Sequence, residues 1–293
     1  MIWLALALNL NVSLFWTDIG SKQALVCHVS VLQTCLNQLS PHVRQQLPNT
    51  QADFRHELGR RGAMVLAVDD EDISGLVLLA PSHLPESVVV DLSGSIYSFD
   101  LAQQKQMTLW HELGHLEAKR LVEQGMFKPL SEFQHEWLAD SYLIWRSAKE
   151  RKSLDLAWQQ YHRRNLDVIK DVSFMSHWSV PMLDQILQRY SLEELNKFDK
   201  FGDLIADLLP HLIFLNQDEL NEFSSLIHRT FSPQAFMNLP NYMYWRKPAL
   251  RKYFEPTLVS LLGGEGAQQW LQEQSLLTDA EPFSVDPAFL AEP

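Results

Sequence analysis

Two short strings constrain the fold of this chain most, because they place metal-ligand side chains on two segments that would have to meet. The first is His-Glu-Leu-Gly-His, which runs from His111 to His115. On a helix, residues four apart lie on one face, so both imidazoles can hold one metal ion while Glu112 lies between them. The second is Glu-Trp-Leu-Ala-Asp, in which Glu136 precedes Asp140 by about one helical turn. If both strings serve one site, two helices must pack side by side.

The second string supplies what the first one lacks. A catalytic zinc site takes three protein ligands and leaves a fourth position open. The metzincin class is excluded, because its downstream glycine and third histidine would fall on Ala118 and Leu121. Glu136 is therefore the candidate third ligand. Asp140 is expected to accept the free N–H of a metal-bound imidazole, which sets the tautomer and orientation of that ring.

Together, the two strings resemble those of the gluzincin zinc metallopeptidases, and they are most similar to the ImmA/IrrE-type peptidases. The resemblance covers only the region of the motifs. It implies one zinc ion per chain, bound by His111, His115 and Glu136. It also implies that Glu112 is the general base toward a zinc-activated water and that Asp140 supports a ligand histidine. Since no helix-turn-helix pattern or calcium-binding loop accompanies the motifs, neither regulation nor a particular substrate is implied.

A peptidase of this kind also needs a group that stabilises the tetrahedral oxyanion. Tyr142, Tyr161, His162 and His177 are candidates by their position in the chain, and no feature of the sequence separates them. We favour His177, because related enzymes draw this group from beyond the glutamate helix.

Two other interpretations remain open for the same residues. The chain could be a non-catalytic zinc-binding regulatory or scaffold protein that acts through its helical C-terminal region, although a structural metal has no use for Glu112. It could also be a helical interaction protein without a metal, if Glu136 points away from the histidines. The string from His56 to Arg60 copies the first four letters of the motif but cannot chelate, which shows how easily such strings arise. His135 is expected at the surface.

Hydrophobic periodicity predicts an α+β fold, with a small N-terminal β-sheet packed on zincin-like active-site helices and then a mainly α-helical C-terminal region. The predicted domains are a zincin-like metallopeptidase core at 1–152, a helical region at 153–277 and a flexible tail at 278–293. By analogy with zincin folds, the strand before the active helix is expected to pair with an extended substrate. The predicted elements are strands at 2–16, 63–68, 76–79 and 88–92, helices at 22–39, 101–123 and 131–152, and short helices between 39 and 60.

The N-terminus and the two cysteines bear on the compartment. Apolar residues hold every even position from 2 to 14, which predicts a strand, and the segment lacks the positive start and cleavage site of a signal peptide. Cys27 and Cys35 fall on a predicted helix about 12 Å apart, so free thiols are expected, as in a reducing cytosol. We therefore predict a cytoplasmic protein. The alternative is export, if residues 1–16 act as a signal peptide.

Composition limits the partners. A net charge of -12 over 293 residues argues against a surface for nucleic acid or anionic membranes, which requires clustered basic residues. Polar residues interrupt the apolar N-terminal stretch, so stable membrane insertion is not expected. The expected partner is a peptide or protein substrate.

Overall fold

The computed structural model describes residues 13–232 and 246–277. The fold is α+β, as predicted. The strands are β1 (Leu14–Ile19), β2 (Lys22–His28), β3 (Ala63–Ala67), β4 (Ile73–Leu79), β5 (Ser87–Leu92) and β6 (Ser95–Asp100). The helices are α1 (Leu32–Leu36), α2 (Pro41–Arg44), α3 (Gln51–Leu58), α4 (Gln104–Glu123), α5 (Glu132–Arg146), α6 (Asp155–Lys170), α7 (Val180–Arg189), α8 (Leu192–Lys197), α9 (Phe201–Leu208), α10 (Gln217–Phe231) and α11 (Lys247–Glu273).

The chain divides into two compact units whose segments alternate along the sequence. Among the described residues, unit 1 comprises those up to Glu86, Leu101–Gln160 and Gln185–Ile213. Unit 2 comprises Ser87–Asp100, Tyr161–Asp184 and the described residues from Phe214 onward. The domain boundary at residue 152 stays a prediction, and the predicted tail at 278–293 lies outside the described residues.

Unit 1 is built on a four-stranded sheet with the order β1-β2-β4-β3. The inner strands β2 and β4 run parallel, and each pairs with an antiparallel outer strand. Leu76 and Leu78 of β4 point into a core shared with α1, α2 and α3. Alternate residues of a strand point to opposite faces, so Gly75 lies on the other face, against α4. The sheet is therefore covered by helices on both sides.

Close packing holds α4 along the sheet. A Cβ atom on Gly75 would lie 2.5 Å from the backbone oxygen of Leu66 and 3.0 Å from Cδ2 of Leu116. The ammonium group of Lys119 donates a hydrogen bond to the backbone oxygen of Val68 at 2.7 Å. These contacts give the helix with the first motif a defined position.

The predicted helix at 22–39 is wrong, and so is the prediction of free thiols. Residues 22–28 form β2, and Cys27 is joined by a disulfide to Cys35 in α1, with 6.1 Å between the Cα atoms. The run from Ala24 to Cys27 is fully buried at the centre of the sheet. A strand covered on both faces loses the alternation that distinguishes it from a buried helix. The chain then turns at residues 29–31, which brings the cysteines together.

The other predicted strands form with small shifts. β1 begins at Leu14, and residues 2–12 of the predicted first strand lie outside the described residues. The strand predicted at 88–92 forms as β5, but it pairs with β6, which the sequence did not predict, in a separate two-stranded sheet of unit 2. Pairing of β5 with a substrate stays a prediction. Within the described ranges, no helix has both the length and the apolarity needed to cross a membrane.

Unit 2 is mainly helical around an aromatic core. The buried ring of Trp178 contacts Phe223 and Phe254, and its indole N–H donates to Oδ1 of Asn165 at 2.9 Å. α11 is kinked at Gly263, whose φ of 73° is readily adopted only by glycine.

Candidate metal centre

The site is made possible by an unusually close approach of α4 and α5. A Cβ atom on Gly114 would lie 2.6 Å from the Cα of Ala139 and 3.0 Å from the Cβ of Tyr142. Such distances are far below van der Waals contact, so a side chain at this position would force the helices apart. Glycine between the two histidines therefore allows α4 to face the glutamate on α5 directly.

The start of α5 sets which of its residues face α4. The Ser131 hydroxyl accepts a hydrogen bond from the backbone N–H of Gln134 at 3.3 Å, and the Gln134 side chain accepts one from the Ser131 N–H at 2.9 Å. This reciprocal pair is a capping box, and its Ser-x-x-Gln pattern is visible in the sequence. It begins the helix at Glu132, so that Glu136 lies one turn further on, toward the histidines.

Three predicted ligand side chains meet between the two helices. Nε2 of His111 lies 3.2 Å from Nε2 of His115. Oε2 of Glu136 lies 3.5 Å from Nε2 of His111, and Oε1 of Glu136 lies 3.6 Å from Nε2 of His115. Within residues 13–232 and 246–277, this is the one group of three or more ligand-type side chains close enough to share an ion.

These distances fit a metal ion. Four ligands placed tetrahedrally at 2.0–2.1 Å from zinc are separated by about 3.3 Å, close to the three distances found here. The two Nε2 atoms face each other across 3.2 Å, so without an ion one of them has to donate a proton to the other, and a cation between them would take the place of that proton. The three side chains retain 10–17% exposure, so solvent reaches the site and a fourth position can remain open.

Asp140 contacts the ring nitrogen of His111 that faces away from the other two ligands. Its side chain is fully buried, and its Oδ1 lies 2.7 Å from Nδ1 of His111. An ionised carboxylate can only accept hydrogen bonds, so the imidazole proton resides on Nδ1. Nε2 of His111 then directs its lone pair toward the other two ligands, which is the tautomer that metal binding requires.

The electrostatics favour a ligand role for His115. Burial first and the neighbouring His111 second lower the pKa of His115 to about 3, against smaller opposing effects of Glu136 and Asp140. The imidazole is consequently neutral at neutral pH. A neutral ring has a free lone pair for a metal ion.

Glu112 occupies the position that the motif requires of a base. It lies on α4 between the two histidines and is half-buried. Because successive helical residues are rotated by about 100°, its side chain leaves the helix beside the ligand face and not on it. Its role as a base stays a prediction.

The four candidates for oxyanion stabilisation differ in their surroundings. Tyr142 is buried in unit 1 and its hydroxyl accepts a hydrogen bond from Arg146 at 2.6 Å. In unit 2, the buried Tyr161 donates to a backbone oxygen, and the buried His162 lies 3.1 Å from the hydroxyl of Thr257. His177 is only partly buried, with Nδ1 3.0 Å from the hydroxyl of Ser176. The preference for His177 stays a prediction.

Two residues near the centre were missed by sequence reasoning. His135, expected at the surface, is half-buried with its ring centroid 6.3 Å from that of His115. Its adjacency to Glu136 on a helix was the available signal. Gln160 of α6 donates a hydrogen bond from Nε2 to Oδ1 of Asp140 at 2.8 Å. No local pattern marks this glutamine, because the contact depends on how α6 packs.

No model of a known protein family, no curated protein and no solved structure matches this chain.

Proposed function

We propose that this protein is a zinc-dependent metallopeptidase in which His111, His115 and Glu136 bind the ion. The observation that carries the proposal is the meeting of two Nε2 atoms and a carboxylate at the separations of tetrahedral zinc ligands. An intact Glu112 beside them favours catalysis over a purely structural role, since a structural metal has no need of a base.

The donor set supports zinc in particular. Two imidazoles and one carboxylate are the protein ligands of well-known zinc peptidases, with the fourth position left for water or substrate. A zinc ion bound there would lower the pKa of a water ligand toward neutrality and polarise the scissile carbonyl. Asp140 holds His111 in the required tautomer, and the low pKa of His115 keeps that ring available for binding.

Glu112 supplies the proton transfers. Its carboxylate takes a proton from the attacking water and delivers it to the amine that leaves when the peptide bond breaks. The expected substrate is a peptide or protein, and His177 is the favoured stabiliser of the oxyanion.

Metal analysis is the first test. We expect one zinc per purified chain and loss of the metal in His111→Ala, because two remaining ligands cannot hold it tightly. Iron in place of zinc, or a His111→Ala variant that still holds one zinc per chain, would contradict the proposal.

Cleavage of a broad peptide library is the second test. Glu112→Gln should retain zinc while turnover falls by about 100-fold or more, the usual contribution of a general base. Glu57→Gln is a matched control, since this exposed glutamate follows a histidine in the string that lacks the second ligand. Equal activity of wild type and Glu112→Gln, or activity in neither, would exclude this mechanism, and the second result would favour the non-catalytic zinc-binding alternative.

For the compartment, we propose an oxidising, exported environment in place of the cytoplasm. The cytoplasmic prediction depended on the pattern of the N-terminal segment and on free thiols, and the Cys27–Cys35 disulfide removes the second support, because disulfides are rare in reducing cytosol. Protein taken from its native cells and treated with a thiol label should react only after reduction. Two reactive thiols before reduction would restore the cytoplasmic prediction.

A further inference from the structure

The buried carboxylate behind His111 has a second donor. Gln160, on α6, is 3% exposed, and its Nε2 lies 2.8 Å from Oδ1 of Asp140. The same oxygen receives the N–H of His111 at 2.7 Å. One carboxylate oxygen thus links a glutamine from a third helix to a candidate metal ligand.

The chemistry sets the direction of both bonds. The carboxylate accepts, so the amide of Gln160 must present its nitrogen to Asp140. This orientation leaves Oε1 of Gln160 buried, and among the described residues it has no hydrogen-bond partner. Leaving a buried oxygen unpaired lowers the stability of the folded chain. An apolar side chain would avoid that cost, so the glutamine is not explained by packing alone.

The two donors together restrict Asp140. A carboxylate held by one hydrogen bond can rotate about its terminal torsion, which is broad for this side chain. A second donor on the same oxygen narrows that range. Rotation of Asp140 would carry the imidazole of His111 with it, because the two groups share a short hydrogen bond.

We infer that Gln160 is a positioning residue of the metal centre: through Asp140 it fixes the orientation of His111 toward the ion. The inference rests on the proposed function only in so far as the site binds a metal. It does not require that the chain cleave peptides.

The neighbouring glutamine provides a matched control. Gln159 is also buried on α6, but its amide is engaged with the backbone of Ala102, donating to the oxygen and accepting from the N–H at 2.8 Å each. Gln159→Met and Gln160→Met each replace a buried amide by an apolar side chain of similar volume. Only the second removes a donor from Asp140.

The test is the metal affinity and the visible spectrum of the full chain. Zinc affinity is measured by competition with a chelator, and cobalt(II) is used as the spectroscopic probe of ligand geometry. Loss of the partner that touches the ligand directly, in Asp140→Ala, should weaken zinc binding by about 10–100-fold. One step further out, Gln160→Met should weaken it by about 3–10-fold and shift the cobalt spectrum. Gln159→Met should match the wild type in both measurements.

The outcomes are distinguishable. A folded Gln160→Met variant with wild-type affinity and spectrum would overturn the inference, as would equal losses in both glutamine variants, which would indicate helix packing alone. If Gln160→Met does not fold, Gln160→Asn, whose shorter amide keeps its polarity, answers the same question. A wild-type chain that binds no metal would overturn both this inference and the proposed function. A chain that binds metal with the expected pattern but cleaves nothing would overturn only the peptidase activity.

Discussion

Replacing Gly114 by alanine tests whether the close approach of α4 and α5 creates the metal centre. The added Cβ would lie 2.6 Å from the Cα of Ala139, whereas carbon atoms in contact are separated by about 3.5–4.0 Å. Since the two shortest distances are to the backbone Cα and oxygen of Ala139 in α5, the helix itself must move by about 1 Å. The separations between Glu136 and the two imidazoles would then grow from 3.5 and 3.6 Å to about 4.5 Å. Three ligands cannot surround one zinc ion at that spacing without closing the helices again.

The size of the effect follows from the energy of overpacking. An extra methyl group in a well-packed interior costs about 1–3 kcal/mol. If the helices separate to relieve this cost, metal binding must bring them together again. The free energy of zinc binding is then less favourable by the same amount. At about 1.4 kcal/mol per factor of ten, zinc affinity should fall by about 5- to 150-fold.

Chelator competition measures the affinity, and urea unfolding of the metal-free chain measures stability. Gly264→Ala is the control, because a Cβ there meets no atom within 4 Å and alanine is the better helix former by about 1 kcal/mol. The control should bind zinc like the wild type and lose no stability. A Gly114→Ala variant with wild-type stability and zinc affinity would refute the argument that this contact positions the ligands.

Two further predictions concern stability away from the centre. Replacing Cys27 and Cys35 together by alanine should lower the free energy of unfolding by about 2.5 kcal/mol, the loop-closure contribution for a sequence separation of 8. A reductant should destabilise the wild type but not this variant, and an unchanged urea midpoint in the variant would contradict the disulfide. Burial lowers the pKa of His162 from 6.5 to about 4, so the unfolded chain binds the proton more readily than the folded chain. The stability contributed by the neutral ring is therefore present above pH 6.5 and is lost as the pH falls toward 4. The loss of unfolding free energy should be on the order of 3 kcal/mol over that range and should be absent in His162→Gln. Replacing the exposed His42 by glutamine is the control. An equal slope of unfolding free energy against pH in the wild type and in His162→Gln would show that His162 does not titrate this way.

The sequence alone determined the local features of the site. The spacing of His111 and His115 and the cap at Ser131 depend on residues within one or two helical turns, and their geometry follows from the helix itself. Glu136 was identified by its chemistry and by its offset from Asp140, not by any knowledge of where α5 would lie. The helices and most strands near the site could also be predicted from local sequence, because apolar residues recur about every 3.6 residues in a helix and every 2 residues in a strand.

Only the tertiary structure decided the features that arise where segments distant in sequence meet. β2 was predicted as a helix because a strand at the centre of a sheet is buried on both faces and shows no alternation. The wrong prediction of free thiols followed from that error, since the distance between Cys27 and Cys35 depends on the turn after the strand. The donor role of Gln160 and the need for glycine at position 114 depend on how α4, α5 and α6 pack against one another. Periodicity shows which face of a segment is buried, but it does not show what that face will touch.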